Sequence, residues 1–250
     1  MSPFALDGRT ALVTGARTGI GRAAALALAG AGADLVLWGH RDDLDDVAAE
    51  VAERGRKVRT VFADLLEPGS VRDGADQVLA AGPVDILVNN AGIIHRSPAL
   101  SADDASWRRV VQVNLDAAFL LCRLFGAPMC ERGRGKIVNV ASLLSFQGGL
   151  NVASYTASKH GIAGLTKALA NEWAGGGVNV NAVAPGYVVT DNTAPLRTDE
   201  TRAAEILARI PAGRWAEPDD IAGSVVFLAS PAADYVHGHL LVVDGGWMAR

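Results

Sequence analysis

Lysine is scarce in this chain. Of 23 basic residues only Lys57, Lys136, Lys159 and Lys167 are lysine. Arginine is therefore the default cation, and each lysine asks why a compact ammonium stands there instead of a guanidinium. Cysteine is scarcer still. Cys122 and Cys130 lie in one apolar helical stretch, which excludes a disulfide framework and reads as two buried structural thiols in a reducing compartment. Positive charge is in deficit: the formal net charge is −4 and the pI about 5.7. No basic patch is implied, so nucleic acid is not an expected partner. Long uncharged apolar runs are missing too. The nearest, residues 23–38, is broken by Asp34 and several glycines, short of the roughly 18 residues a membrane span needs. The first ten residues, MSPFALDGRT, lack a basic segment followed by an apolar one, so no secretory signal is expected and a cytoplasmic location is.

What the chain does have is 50% hydrophobic residues, 28 glycines and a steady alternation of short β-branched runs with longer helical patterns. Strands are predicted at 10–14, 34–38, 58–63, 85–89, 136–140, 179–183 and 240–243. They are nearly continuous apolar runs, as expected where both faces of a strand are covered. Helices are predicted near 20–31, 42–55, 69–81, 103–131, 153–174, 199–210 and 218–229. Asp42 and Ser70 are candidate N-caps, and Pro218-Asp219-Asp220 opens the last helix with proline and acid. Seven strands alternating with helices predict one α/β domain over 1–250. Its core is a Rossmann-type doubly wound sheet of seven parallel strands with helices on both faces. The dinucleotide-binding half is about 1–140 and the catalytic and substrate half about 141–250.

The first strand runs into Thr14-Gly15-Ala16-Arg17-Thr18-Gly19-Ile20-Gly21. A glycine turn between a strand and a helix lets backbone approach a pyrophosphate, and the helix N-terminus beyond it offers free N–H groups. The second strand ends Trp38-Gly39-His40-Arg41. No carboxylate stands there for a ribose 2′-hydroxyl. His40 and Arg41 suit a 2′-phosphate, although Arg41 equally suits stacking on adenine or pairing with Asp42 or Asp45. Asp64, after the third strand, is a candidate for the adenine amino group. Asn89-Asn90-Ala91-Gly92 ends the fourth strand, where ligands of open α/β sheets bind.

Tyr155 and Lys159 are four residues apart and share a helix face. A nearby ammonium favours tyrosinate and is expected to bring Tyr155 below its usual pKa of about 10, towards general acid/base work. Ser142, after the fifth strand, is placed to bond the same substrate oxygen. Asn114, which interrupts the long helix, offers an amide to hold a water linking Lys159 to solvent. His237-Gly238-His239 has ligand-like spacing, but a loop-to-strand junction explains it and no metal is expected.

Taken together these segments resemble the short-chain dehydrogenase/reductase family over essentially the whole length. The matching residues are the TGxxxGIG turn at 14–21, Asp64, the NNAG at 89–92, Asn114, Ser142, Tyr155, Lys159, Pro185-Gly186 and Thr190. The resemblance implies an NAD(P)-dependent oxidoreductase acting on a secondary alcohol or ketone, with a catalytic set of Asn114, Ser142, Tyr155 and Lys159. It also implies a cofactor set of Gly15, Arg17, Thr18, Gly19, Ile20, Gly21, His40, Arg41, Asp64, Leu65, Asn90, Ala91, Gly92, Tyr155, Lys159, Pro185, Gly186, Val188 and Thr190, and a homotetramer built through the two long central helices. The segments at 142–149, 184–187, 191–193, 210–215 and 244–250 look like the branch acting on deoxy sugar acids of the 2-dehydro-3-deoxy-D-gluconate or 2-deoxy-D-gluconate type. That branch implies NAD, against the NADP suggested by His40 and Arg41, so the cofactor stays NAD(P)(H). Substrate candidates are Arg96 (for a carboxylate), Ser142, Gln147 and Tyr187. Arg250 is a further one, and residues 188–211 read as a flexible lid. Two rivals stand beside this reading. A 3-oxoacyl-carrier-protein reductase or other polyol dehydrogenase of the family is one, an acidic carrier needing a basic rim from Arg108, Arg109, Arg132 and Arg134. A catalytically silent nucleotide sensor is the other, although such a protein has little use for both Tyr155 and Lys159.

Overall fold

The computed structural model describes residues 2–249; Arg250 lies outside them. Seven strands form one parallel sheet: β1 (Thr10–Thr14), β2 (Asp34–Gly39), β3 (Val58–Phe62), β4 (Ile86–Asn89), β5 (Gly135–Val140), β6 (Val178–Pro185) and β7 (Leu240–Val243). Their order across the sheet is β3-β2-β1-β4-β5-β6-β7. Between them run α1 (Gly19–Gly30), α2 (Asp45–Glu53), α3 (Pro68–Ala80), α4 (Asp104–Val111), α5 (Ala117–Glu131), α6 (Ala153–Trp173), α7 (Ala194–Thr198), α8 (Glu200–Arg209) and α9 (Pro218–Ala229). The strand order reverses direction between β1 and β4, which opens a crevice at their carboxyl ends.

Strand alternation builds the two cores. Ala11 and Val13 of β1, Leu35 and Leu37 of β2, and Ile86 and Val88 of β4 pack on one face with Ala24 and Leu28 of α1 and Val225 and Leu228 of α9. Leu12, Val36, Trp38 and Leu87 face the other way, onto Val71 and Ala75 of α3 and Leu121, Phe125 and Met129 of α5. The helical stretch 104–131 is apolar enough to pass for a membrane span, yet half of its most apolar window is buried inside the protein.

Several boundaries depart from expectation. Neither predicted N-cap is used. Leu44 precedes α2, which starts three residues beyond Asp42. Glu67 precedes α3, where Pro68 takes the first helical position and loses no bond by lacking an N–H. The predicted helix 103–131 is two helices joined by a π turn over Gln112–Asp116. The segment 188–211 is largely helical: α7 and α8 flank Asp199, whose carboxylate accepts from Arg202 N–H at 3.0 Å. Of the two free thiols only Cys122 is fully buried, and burial pushes it up to about 12; Cys130 is half-buried.

Candidate active site

The cleft begins at the turn after β1. Gly15 has φ +65°, in the left-handed region, and a Cβ there would meet Ala91 Cα at 3.0 Å. A Cβ on Gly21 would collide with Gly15 O and Asn90 Nδ2. Both positions must be glycine because the NNAG segment lies directly on the turn. Asn90 Nδ2 donates to Thr14 O (2.9 Å) and Gly15 O (3.2 Å), while Thr14 Oγ1 accepts from the N–H groups of Asn90 and Ala91 (3.0 Å each). Thr18 precedes α1 without a side-chain cap, and the first turn of α1 holds no acid. Its N–H groups are left for an anion, so backbone, helix end and charge all fit a dinucleotide pyrophosphate.

At the adenosine end the cleft is lined by Arg17, Trp38, Gly39, His40, Arg41, Asp43, Asp64 and Leu65. Arg41 makes no ion pair with Asp42 or Asp45 among the described residues. The pair that forms is Arg17 Nε with Asp43 at 3.3 Å, which the sequence reading missed. The Asp64 carboxylate accepts from Leu66 N–H at 2.9 Å and is otherwise open to the cleft.

At the nicotinamide end the walls are Gly92, Ile93, Val140 to Ser142, Tyr155, Lys159, Pro185, Gly186, Val188 and the 190–193 turn. Every predicted cofactor residue lines the cleft except Gly21, which acts from behind Gly15. Lys159 is 4% exposed and donates from Nζ to Val140 O at 2.6 Å; burial lowers it to about 8. Its Nζ lies 5.5 Å from the centroid of the Tyr155 ring. Tyr155 is half-buried in the cleft wall, and desolvation raises its pKa. The bond from Ser142 and the charge of Arg96 oppose the rise without overcoming it. The expected lowering by Lys159 is therefore not seen. Helical spacing supplied the amine, but the cost of burying phenolate is the largest influence on Tyr155.

Asn114 does not line the cleft. It is 2% exposed; its oxygen accepts from Ile93 N–H (2.8 Å), and Nδ2 donates to Ile93 O (2.9 Å) and Ser158 Oγ (3.2 Å). With both N–H groups committed, the amide clamps the NNAG loop to α6, and its oxygen keeps a second lone pair for a water.

The substrate candidates disperse. Arg96 is exposed at the cleft edge, donating to Asn192 O at 2.7 Å. Gln147 and Tyr187 are claimed by Trp247, which the sequence reading had not singled out. Trp247 Nε1 donates to Gln147 Oε1 at 3.4 Å, and the Trp247 ring packs 4.8 Å from Tyr187 and beneath the Arg209 guanidinium. The basic rim imagined for a carrier protein does not assemble. Arg132 bonds Val84 O and Arg134 pairs with Asp85, at the opposite end of the strands, and Arg108 is tied to Asp104; Arg109 alone lines the cleft. No group of His, Cys, Asp or Glu among the described residues has metal-binding geometry; His237 Nε2 sits 3.1 Å from Asn179 Nδ2.

A parallel doubly wound sheet with a pyrophosphate turn at its switch point and a Tyr–Lys–Ser group across the crevice defines an NAD(P)-dependent oxidoreductase acting on CH–OH groups. The profile of the family described as Enoyl-(Acyl carrier protein) reductase matches residues 15–248. A 2-dehydro-3-deoxy-D-gluconate 5-dehydrogenase of Bacillus subtilis is 54% identical over 99% of this chain and 97% of its own. Two solved structures cover the whole of both chains. One, from Beutenbergia cavernae, is provisionally described as an NAD(P)-dependent gluconate 5-dehydrogenase with NADP bound at low occupancy (58% identity, TM-score 0.98). The other, from Agrobacterium tumefaciens, is provisionally described as a 2-deoxy-D-gluconate 3-dehydrogenase with bound NADP (52%, 0.95). The chain belongs to the short-chain dehydrogenase/reductase family.

Proposed function

We propose that this enzyme interconverts a secondary alcohol and a ketone on a deoxy sugar acid of the 2-dehydro-3-deoxy-D-gluconate type. The observation that carries the reading is Tyr155 in the wall of a dinucleotide cleft beside Ser142, with Lys159 Nζ 5.5 Å from the centroid of its ring. Full-length relatives with sugar-acid names support the substrate class.

When bound, the dinucleotide gives or takes a hydride at C4 of its nicotinamide. The chain's residues do the rest. The turn from Gly15 to Gly21 and the α1 N-terminus hold the phosphates, Asp64 and Leu65 the adenine end, and Pro185-Gly186, Val188 and Thr190 the nicotinamide end. Tyr155 Oη carries the hydroxyl proton, Ser142 steadies the substrate oxygen, and Lys159 holds the ribose. Asn114 keeps the loop and helix that carry them in register. Arg96 is placed to take the carboxylate, with Gln147 and Tyr187 shaping the pocket through Trp247. The enzyme works in the cytoplasm as a homotetramer formed through α5 and α6; the exposed Phe119 on α5 supports an interface there.

The test is turnover on deoxy-ketogluconates, gluconate and acetoacetyl thioesters, each with NAD(H) and NADP(H). The deoxy sugar acids should be preferred; preference for the thioester overturns the substrate class. Tyr155→Phe should abolish turnover with dinucleotide affinity intact, and a retained rate would refute the chemistry.

A further inference from the structure

Ser142 and Lys159 come from separate parts of the chain, one on the short helical turn Leu143–Ser145 after β5 and the other two turns into α6. A single buried hydroxyl joins them. Ser145, 6% exposed, accepts from Ser142 N–H at 3.3 Å and donates to Lys159 O at 2.7 Å. An N–H can only donate and a carbonyl can only accept, so the orientation of this hydroxyl is unambiguous and both its partners are fixed. The same turn sets the Ser142 side chain, whose oxygen accepts from Leu144 N–H at 3.1 Å and which shares the cleft wall with Tyr155. Among the described residues no backbone group of Leu143–Ser145 bonds α6, and Leu143 packs away from it, with Ile206, Ile210 and Trp247.

We propose that Ser145 is a positioning residue: by pinning the Ser142 turn to the Lys159 carbonyl it sets the Ser142–Tyr155 hydrogen bond and thereby the proton affinity of the Tyr155 phenol. The inference rests on the catalytic reading of Tyr155. The Ser142 bond is the largest influence lowering Tyr155, so loosening it moves the phenol upward. Ser145 acts through its neighbours: it is 6% exposed, and its hydroxyl is committed to Ser142 N–H and Lys159 O.

Its test compares Ser145→Ala, Ser145→Thr and Tyr155→Phe in the full enzyme, reading kcat, KM, dinucleotide affinity and the pH profile of alcohol oxidation. For Ser145→Ala we expect kcat to fall about fivefold, the scale of one neutral hydrogen bond. KM and dinucleotide affinity should stay the same, and the rising limb of the oxidation profile should move to higher pH. Ser145→Thr keeps the hydroxyl and should restore the limb. An unmoved kcat and pH limb in Ser145→Ala overturns the proposal, as does a kcat loss matched by equal loss of dinucleotide affinity, or failure of both Ser145 variants to fold. If Tyr155→Phe retains turnover, the catalytic reading itself fails, which is a separate outcome.

Discussion

Lys159→Met should remove a pH dependence of stability together with activity. The folded protein buries this amine, holding it at about 8 against an ordinary 10.5. The unfolded chain therefore binds more protons between those values, and stability rises with pH across that window. At pH 7 the buried charge costs about 3 kcal/mol relative to the unfolded chain, since each tenfold change in proton affinity is worth about 1.4 kcal/mol. At pH 9.5 the folded amine is already neutral and about 1 kcal/mol remains. Wild type should thus gain about 2 kcal/mol on Lys159→Met between pH 7 and 9.5. Tyr155 works the other way, since its folded pKa is raised and its contribution is lost only above the unfolded value of about 10; the chosen window stays below that. The assay is urea unfolding of both proteins without dinucleotide, at one fixed protein concentration because assembly shifts apparent stability. Parallel stability profiles for the two proteins would refute the burial argument, whatever happened to turnover.

Three further outcomes follow from the same geometry. Gly21→Ala forces a Cβ onto Gly15 O and Asn90 Nδ2; thermal unfolding should show about 1–3 kcal/mol of destabilisation, and titration should show dinucleotide binding lost. Arg96→Ala should raise KM for the sugar acid about tenfold or more, the scale of a charged hydrogen bond, and leave a neutral polyol little changed; equal effects on both remove Arg96 from the carboxylate site. Because burial keeps the Tyr155 proton on the phenol, ketone reduction should hold its rate to higher pH while alcohol oxidation climbs with pH. Steady-state profiles in both directions check this, and an oxidation rate that falls through the same range refutes it.

The strands were legible because a parallel sheet buries both faces, and runs such as TALVT and DILVN have no other use in a chain this size. Their ends were less so: β6 extends to Pro185 because its edge pairs with β7 through Val243, a partner some 60 residues away. The π turn at Gln112–Asp116 was hidden, since one inserted residue leaves the apolar pattern of α4 and α5 readable as a single helix. Cofactor residues could be found because each is tied to a strand end. The surroundings of Gln147 and Tyr187 were hidden, because Trp247, 100 and 60 positions further on, bonds one and packs on the other. Nothing in the local sequence announces that partner.

The scarcity of lysine now divides by role. Lys57 and Lys167 are exposed, and Lys136 bridges Asn179 and Asp234 at the far end of the sheet. Lys159 alone is buried beside the chemistry. Arginine would not serve there. A guanidinium stays charged at any working pH and presents a planar fork of donors, while the space under Tyr155 offers a single carbonyl, Val140 O. An ammonium satisfies that carbonyl with one proton and keeps two for a ribose. It can also lose its charge near pH 8 when burial demands it. Since Tyr155 is pushed up and Lys159 down by the same enclosure, the lysine gives up its proton before the phenol does. The protein's own residues thus keep a proton on Tyr155 at neutral pH, and Ser142, Arg96 and the turn that Ser145 anchors are what bring the phenol back towards ionisation.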